Sequence, residues 1–461
     1  MKFAANDKNS PNRLLIQGTA GVGKTFTIVA LTYIARRLFR RNNAVMNLAT
    51  TGAASILLPN GKTVHSTTNI PRKHTKNGKS IQLLDVPLSS KALRQLREKT
   101  GSVLENEQMK LILLNLDERG MYSARNLAWC CQRFKESTAN FTDTFGAIPS
   151  VNFFGDLGQL GPVQAMDLNV EPLSPDAPDK LAGYGIYRSF DDCIVLEQTM
   201  RQGPDQLEFL NILLRVREGN IQQSDWQVIN SRYEGDLTPE EKKGFESETC
   251  LTVMETWNKV NLENYNKLRH LNVPVAVIPS KGKGRHHSKV DKQCGQIPST
   301  SLIAVGSRLL LTKNQKSLTT LGLNNGAIGT VIAILYKKDS KPPEFPEAVV
   351  VDFPRYTGPR WLEEHPTWIL IPNEGRSENN CCYRSGLPLM PGYCIPISKS
   401  QGMTVGPNQT CTHLRITLNP ENFMERLNLG ITYTSLSRAS KLQNIALVEK
   451  ITFEKQSPLD G

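Results

Sequence analysis

Residues 18–25 read GTAGVGKT, a G-x-x-x-x-G-K-[ST] run between the apolar stretch RLLIQ and the helical pattern FTIVALTYIARRLFR. No other feature constrains the fold as tightly. The glycines let backbone N–H groups close around phosphate oxygens, and a helix that begins at the lysine turns its positive end toward the same anion. Such a loop requires a strand before it and a helix after it, so the chain is expected to be an α/β protein built on a parallel sheet. Gly18, Thr19, Ala20, Gly21, Val22, Gly23, Lys24 and Thr25 then cradle the phosphates of a nucleotide. Lys24 reaches the β- and γ-phosphates and Thr25 can ligate Mg²⁺. A chance glycine-rich turn is the competing reading, and the strand-to-helix setting argues against it.

Apolar runs alternate with helical patterns through the first 200 residues, as a parallel sheet with crossover helices demands. Strands are expected at 13–17, 44–50, 111–117 and 151–156. Between about 69 and 107 the chain is polar and basic (PRKHTKNGKS), which fits a small insertion or mobile loop. A second α/β rhythm starts near Cys193, with helices expected around 204–218 and 259–269 and a strand at TCLTVME. From 302 to 370 the pattern changes to LIAVGSRLLL, GAIGTVIAIL, EAVVVDF and WILI, punctuated by Gly, Asn and Pro as in a small antiparallel barrel. After 387 apolar strands return, with one helix expected at ENFMERLNLG. The expected division is therefore 1–189 for the first α/β domain, 190–300 with 385–461 for the second, and 301–384 for an inserted β module. A length of 461 residues accommodates about three such units.

Beside the phosphate loop, LILLNLDE ends an apolar run in Asp117 and Glu118. Asp117 is placed to hold Mg²⁺ and Glu118 to orient or deprotonate an attacking water. An acidic pair closing a surface strand is the plainer alternative, weakened by the neighbouring loop. VNFFGDLGQLGPV ends another apolar run, and Gln159 in its turn can reach a γ-phosphate or the attacking water. Fifty-five Lys and Arg against 43 Asp and Glu leave a charge of +12, which favours a polyanionic partner such as nucleic acid. The nine cysteines lack C-x-x-C spacing and read as reduced thiols without a metal site. No apolar run approaches a membrane span and no secretory signal opens the chain, so an intracellular protein without a membrane partner is expected.

The series GTAGVGKT, ATTGAAS, TVHS, LDE, GDLGQLGPV, TMRQ, GLNNGAIG, ISKSQGMT and YTSLSRA, in that order over roughly residues 13–448, closely resembles superfamily 1 DNA helicases of the petite-integration-frequency (PIF) type, related to RecD. The helicase regions of some rolling-circle transposons are kin. This resemblance implies two RecA-like domains with parallel sheets, the second interrupted by an SH3-like β-barrel that contains the GLNNGAIG turn. It implies ATP and Mg²⁺ as cofactors, single-stranded and forked DNA as partners, 5′ to 3′ travel, and a monomer. A eukaryotic origin would place it in the nucleus or mitochondrion. Lys24, Thr25, Asp117, Glu118 and Gln159 match the ATP-site positions of the first domain. Arg201 and Arg438 match arginines that the second domain contributes to the transition state, a guanidinium fork worth about 10³ to 10⁵ in rate. Thr51, Gly52, His65 and Ser66 match motifs that touch single-stranded DNA, as do Lys399, Ser400, Gln401 and Gly402 in the second domain. Small hydroxyl residues and backbone N–H groups suit phosphate contacts that carry no sequence information. Telomere maintenance, recombination, repair and transposition are all compatible with the family.

Several positions depart from the family pattern. Only 12 residues precede the first expected strand, without the glutamine segment that reads adenine, which suggests a truncated front end. Asn115 puts an amide into the strand before Asp117, and Arg119-Gly120 follow the acids, a pair expected to loosen them. Gly158 and Gly161 are expected to make the Gln159 turn flexible. Trp257 and Ser398 are the remaining departures. Phe153, Phe154 and Trp257 are stacking candidates by position, with core packing the default for the phenylalanines. The basic stretches 71–79 and 281–292 read first as solvated loops. Three functions follow: an ATP-driven helicase, a DNA-stimulated ATPase that binds DNA without efficient unwinding, or a P-loop enzyme of another class such as a small-molecule kinase, which leaves Arg201, Arg438 and the ISKSQG motif unexplained.

Overall fold

The computed structural model describes residues 11–451 apart from 71–74, 77–78, 81–85, 102–109, 163–167, 173–177, 284–295, 314, 316–317, 319–320, 324, 379–381, 408 and 419–428. The chain forms two compact units, Met1–Gln202 and Gly203–Gly461.

The first unit runs β1 (Asn12–Gly18), α1 (Lys24–Leu38), β2 (Val45–Ala49), α2 (Gly52–Ile56), β3 (Lys62–Thr63), α3 (Val64–Thr68), the two-residue strands β4 (Thr75–Lys76) and β5 (Lys79–Ser80), and α4 (Ser90–Thr100). It continues with β6 (Leu113–Asp117), α5 (Ala124–Thr138), β7 (Ser150–Gly155), α6 (Pro178–Arg188) and β8 (Asp192–Leu196). Six strands form one sheet in the order β3-β2-β6-β7-β1-β8, and every pairing in it is parallel. The four strands read from the sequence are all present. β6 and β7 are buried along their whole length because helices cover both faces, which is why their sequences are continuous apolar runs rather than alternations. Phe153 packs edge-on against Tyr122 at 5.0 Å on one face, while Phe154 joins Ile16, Ile28 and Ala49 on the other. Both rings are fully buried, so neither is a base-stacking platform.

Two expectations change here. The first unit does not end at 189, because β8 pairs with β1 from Leu14↔Asp192 to Gly18↔Leu196 and completes the first sheet. The region 69–107 is not featureless: within its described part, α4 is capped by the Ser89 side chain and buries Leu96 against the main core. The basic stretch 71–79 lies largely outside the described residues.

The second unit begins with α7 (Leu207–Glu218), α8 (Gln223–Asn230), α9 (Pro239–Glu246), β9 (Cys250–Met254) and α10 (Trp257–His270). Then come β10 (Ala276–Pro279), β11 (Lys281–Lys283), β12 (Thr300–Ile303), β13 (Arg308–Leu311), β14 (Ile328–Leu335), β15 (Ala348–Asp352), β16 (Trp368–Pro372), β17 (Glu374–Glu378), β18 (Cys382–Gly386) and β19 (Leu389–Pro391). It closes with β20 (Cys394–Pro396), α11 (Ile397–Ser400), β21 (His413–Ile416), α12 (Leu429–Leu436) and β22 (Ile445–Leu447). A parallel sheet, β20-β9-β21-β22, is interrupted in sequence by an antiparallel one, β16-β15-β14-β13-β19. The antiparallel part is wider than 301–384: β10 pairs with β12, and Ala276, Ile278, Leu387 and Leu389 share one core with Val331, Val349 and Val351. The expected helix at ENFMERLNLG falls mainly outside the described residues, and α12 begins at its end.

The close approach of α5 and α6 in the first unit depends on one glycine. A Cβ at Gly183 would lie 1.7 Å from the Ala124 carbonyl oxygen, whereas one at Gly185, two residues along α6, would meet nothing within 4 Å. Gly183→Ala is therefore expected to destabilise the fold by about 1–3 kcal/mol through overpacking. Gly185→Ala should stabilise it by about 0.5–1 kcal/mol through helix propensity. Urea denaturation of the two variants checks the pair, and equal effects would contradict this packing.

Candidate active site

The C-terminal ends of parallel strands are where a doubly wound sheet opens a crevice for ligands. In the first unit four neighbouring strands bring sequence-marked residues there: β1 leads into Gly18–Thr25, β6 ends in Asp117, β7 leads into Asp156, and β2 leads to Thr51.

The phosphate loop turns through left-handed backbone at Gly21 (φ 89°) and Gly23 (φ 86°), which a side chain rarely adopts. A Cβ at Gly21 would stand 2.5 Å from the Arg201 Cβ, and the Gly21 carbonyl accepts from the Met200 N–H at 2.8 Å. At Gly23 nothing lies within 4 Å of such a Cβ, so the loop is open on that side. The Lys24 ammonium donates to the carbonyls of Gly18 at 2.7 Å and Thr19 at 2.8 Å, folded back inside its own loop. Burial lowers its pKa, Asp156, Glu118 and Asp117 pull it back up, and Arg201 lowers it further. The three carboxylates thus favour the charged form of Lys24, while its hydrogen bonds go to its own loop.

Asp117 is almost fully buried, at 6% exposure. Burial, and after it the neighbouring Glu118 charge, raise its pKa to about 7, against the Glu118 N–H at 2.9 Å and the Lys24 charge, which favour ionisation. Glu118 adopts left-handed backbone, φ 62° and ψ 53°, at the start of a 3₁₀ turn over Arg119–Met121. For a side chain with a Cβ that conformation costs about 1–2 kcal/mol, and strain of this kind concentrates at working sites.

Asp156, which the motif reading passed over in favour of Gln159, organises the β7 turn. Its carboxylate accepts from the Gly158 N–H at 3.0 Å and from the Gln159 amide at 3.4 Å. The sequence signal was available: an acid closing a buried strand next to the one that carries Asp117. Gly158 is a bonded part of this turn, which answers the expectation of a flexible one. Gly120 likewise does not loosen the acids. A Cβ there would lie 3.0 Å from the Asp156 carbonyl oxygen, and one at Gly155 would lie 2.4 Å from the Arg119 Cβ, so two glycines let the β6 and β7 turns press together. Arg119 is buried and donates to the Gln17 side chain at 3.0 Å, which ties that turn to β1.

The expected nucleic-acid residues are placed unevenly. In the first unit the Thr51 hydroxyl caps α2 by accepting from the Ala54 N–H at 3.1 Å, with Gly52 next to it. Ser66 is exposed and His65 half-buried on α3. In the second unit Ser400 and Gln401 are buried, the Ser400 hydroxyl donating to the Ile397 carbonyl at 2.8 Å, while Lys399 is partly exposed and reaches Asn325 at 3.4 Å. Arg438 is buried, its guanidinium donating to Thr434 O at 2.9 Å and to Ser437 Oγ at 2.9 Å. Arg201 was expected from the second domain; it belongs to the first unit, because β8 carries the chain back to the phosphate loop. Trp257 is half exposed at the start of α10. Among the described residues no cluster of His, Cys, Asp and Glu is suited to a metal on its own, and no helix is long and apolar enough to cross a membrane.

This geometry defines a P-loop nucleoside triphosphatase with RecA-like α/β architecture. Residues 3–227, just under half of the chain, match the model of the family described as PIF1-like helicase, in keeping with a PIF1-type helicase of superfamily 1. The fold is similar to Pif1 helicase from Candida albicans, at 20% identity and TM-score 0.71 over 97% of this chain and 92% of that one. Bacteroides Pif1 bound to ssDNA is similar at 19% and 0.68, over 98% and 91%. The Bacteroides enzyme in complex with ADP-AlF3 and ssDNA gives 19% and 0.67, over 98% and 92%. At such identities the likeness establishes the fold. No curated protein sequence matches the chain.

The elevated Asp117 pKa makes a stability prediction. A carboxyl that ionises near 7 when folded and near 4 when unfolded binds its proton better in the folded state, so this group's contribution is intact below about pH 4 and lost as pH rises to about 7. Asp117→Asn, which cannot ionise, should therefore raise the Tm of the nucleotide-free protein at pH 8 and do so less at pH 5. Thermal melts at both pH values check this, and a pH-independent difference would contradict it.

Proposed function

We propose that the chain is an ATP-driven DNA helicase, hydrolysing Mg-ATP to move along single-stranded DNA and open forked duplexes. The observation that carries the reading is the convergence of the Lys24 loop, Asp117 with Glu118, and Asp156 at the C-terminal ends of the neighbouring strands β1, β6 and β7. A phosphate chain entering the glycine loop draws Lys24 off the Gly18 and Thr19 carbonyls and onto its own oxygens. Thr25 and Asp117 are the residues that would hold Mg²⁺; the fit is supported by a buried carboxyl whose ionisation a cation would favour. Mg²⁺ supplies charge neutralisation at the β- and γ-phosphates when bound. Glu118, fixed by its backbone conformation, accepts the proton of the attacking water, and Gln159, oriented by Asp156, hydrogen-bonds that water or the γ-phosphate. Arg201, against the loop at Gly21, adds positive charge within the same unit.

DNA as the partner is supported by the family match and by the +12 charge, and travel from 5′ to 3′ follows from the resemblance. The Bacteroides relatives were crystallised with ssDNA, and another related structure concerns unwinding at forked dsDNA by two coordinating Pif1 helicases.

Hydrolysis measured with and without single-stranded DNA tests the reading. Wild-type turnover should rise with DNA. Lys24→Ala and Glu118→Gln should each lose at least about 10²-fold in kcat, since both remove a group needed in the transition state. A wild-type rate indifferent to DNA would remove the main support. Turnover that responds to DNA without opening a forked duplex would instead identify a DNA-stimulated ATPase. DNA affinity should also fall steeply as salt rises, through counterion release.

A further inference from the structure

The amide that looked out of place in β6 is the middle of a buried ladder. Asn47, Asn115 and Asn152 stand at one level of β2, β6 and β7, paired in register as Asn47↔Asn115 and Asn115↔Asn152. Their exposures are 2%, 0% and 4%. The side chains bond head to tail. Asn152 Nδ2 donates to Asn115 Oδ1 at 3.0 Å, and Asn115 Nδ2 donates to Asn47 Oδ1 at 2.8 Å. Asn47 Nδ2 then donates to Thr32 Oγ1 at 3.1 Å and to the Pro59 carbonyl at 2.9 Å. Thr32 lies on α1, fully buried, and donates to the Ile28 carbonyl at 2.7 Å. On the far side the row stops, because the β1 partner of Asn152 is Leu14.

Burying three amides is not a route to stability. Each bond made inside replaces one lost to water, and apolar residues of similar size fill such a sheet interior at least as well. A directional chain supplies something else: a strand that slips along its neighbour breaks hydrogen bonds that an aliphatic row would let slide. The elements tied together are those that carry the site. Asp117 follows Asn115 by two residues on the same face of β6, Asp156 follows Asn152 by four, Thr51 follows Asn47 by four, and Thr32 lies about two turns along the helix that starts at Lys24.

We propose that Asn152, Asn115, Asn47 and Thr32 form the positioning device of the nucleotide site, setting the heights of the β2, β6 and β7 ends against the phosphate-loop helix. The inference rests on the hydrolysis reading for its kinetic consequences, though not for its structural ones. All four are buried, at 4% exposure or less, so they act through Asp117, Glu118, Asp156 and Gln159.

Two variants test this. Thr32→Val cuts the link to α1 with little change in shape and leaves the Asn47 amide its Pro59 partner. The triple variant Asn47→Leu, Asn115→Leu, Asn152→Leu removes the ladder and leaves no amide unpaired within it. The readouts are Tm, the affinity for a fluorescent ADP, kcat and KM for ATP, and amide hydrogen exchange at Glu118 and Gly158, whose N–H groups bond to Asp117 and Asp156. In the triple variant the expected result is an unchanged or higher Tm, ADP affinity and KM within about twofold, kcat lower by about tenfold, and exchange at both amides faster by about tenfold. Thr32→Val should move kcat and exchange in the same direction by about threefold, and Thr32→Ser should restore both. Exchange that stays at the wild-type rate in both variants overturns the proposal, whether or not the protein hydrolyses ATP. A folded triple variant with wild-type kcat overturns it as well. If the triple variant does not fold, Thr32→Val carries the same readouts with the same consequences. Absence of wild-type hydrolysis would sink the functional reading alone.

Discussion

One ammonium and three carboxylates converge at the C-terminal end of a parallel sheet, and most of the first unit is arranged to make that possible. Lys24 cannot sit beside Asp117, Glu118 and Asp156 unless β1, β6 and β7 end at the same height and run the same way. Parallel order requires crossover helices, and those helices cover both faces and make the central strands apolar throughout. The glycines belong to the same constraint. Gly21 admits Arg201, Gly155 admits the Arg119 backbone, and Gly120 admits the Asp156 carbonyl, so three turns crowd into a space that side chains would otherwise fill.

What the sequence disclosed, and what it hid, divides along the same physical line. The phosphate loop, the acids ending β6 and the turn after β7 are local: each is a short run whose residue types have few uses besides the one found. Strand positions were legible because buried parallel strands are unbroken apolar runs. Membership of a unit was not legible. DCIVL reads as the opening of a new domain, yet it pairs with β1, and nothing short of the long-range register distinguishes those outcomes. Arg201 changed unit with it. The burial of Ser400 and Gln401 was hidden for a similar reason, since an exposed polar motif and a buried one share one spelling.

Asn115 shows the same limit from the other side. Read alone, an amide in an apolar strand is a defect; read with Asn47 and Asn152, it is one rung of three. The partners lie 68 and 37 residues away in sequence, so no window of local periodicity contains them. Buried polar groups are informative because they are costly when unsatisfied, and their satisfaction can be judged only in three dimensions.

The nucleotide-free site carries two unfavourable features side by side. Asp117 is buried enough that its carboxyl ionises only near pH 7, and Glu118 next to it holds a backbone conformation that L-residues avoid. Neither serves the stability of the free fold. Both suit the proposed reaction, in which a cation arriving with the nucleotide favours the ionised Asp117 and an already turned Glu118 meets water without further rearrangement. Preorganisation of this kind is strain kept in the resting protein so that it need not be generated during turnover. It also explains why the packing beneath must be rigid: a strained turn relaxes unless its surroundings hold it. Here they do so twice, through the glycine-mediated contact of the β6 and β7 turns above and the asparagine ladder below.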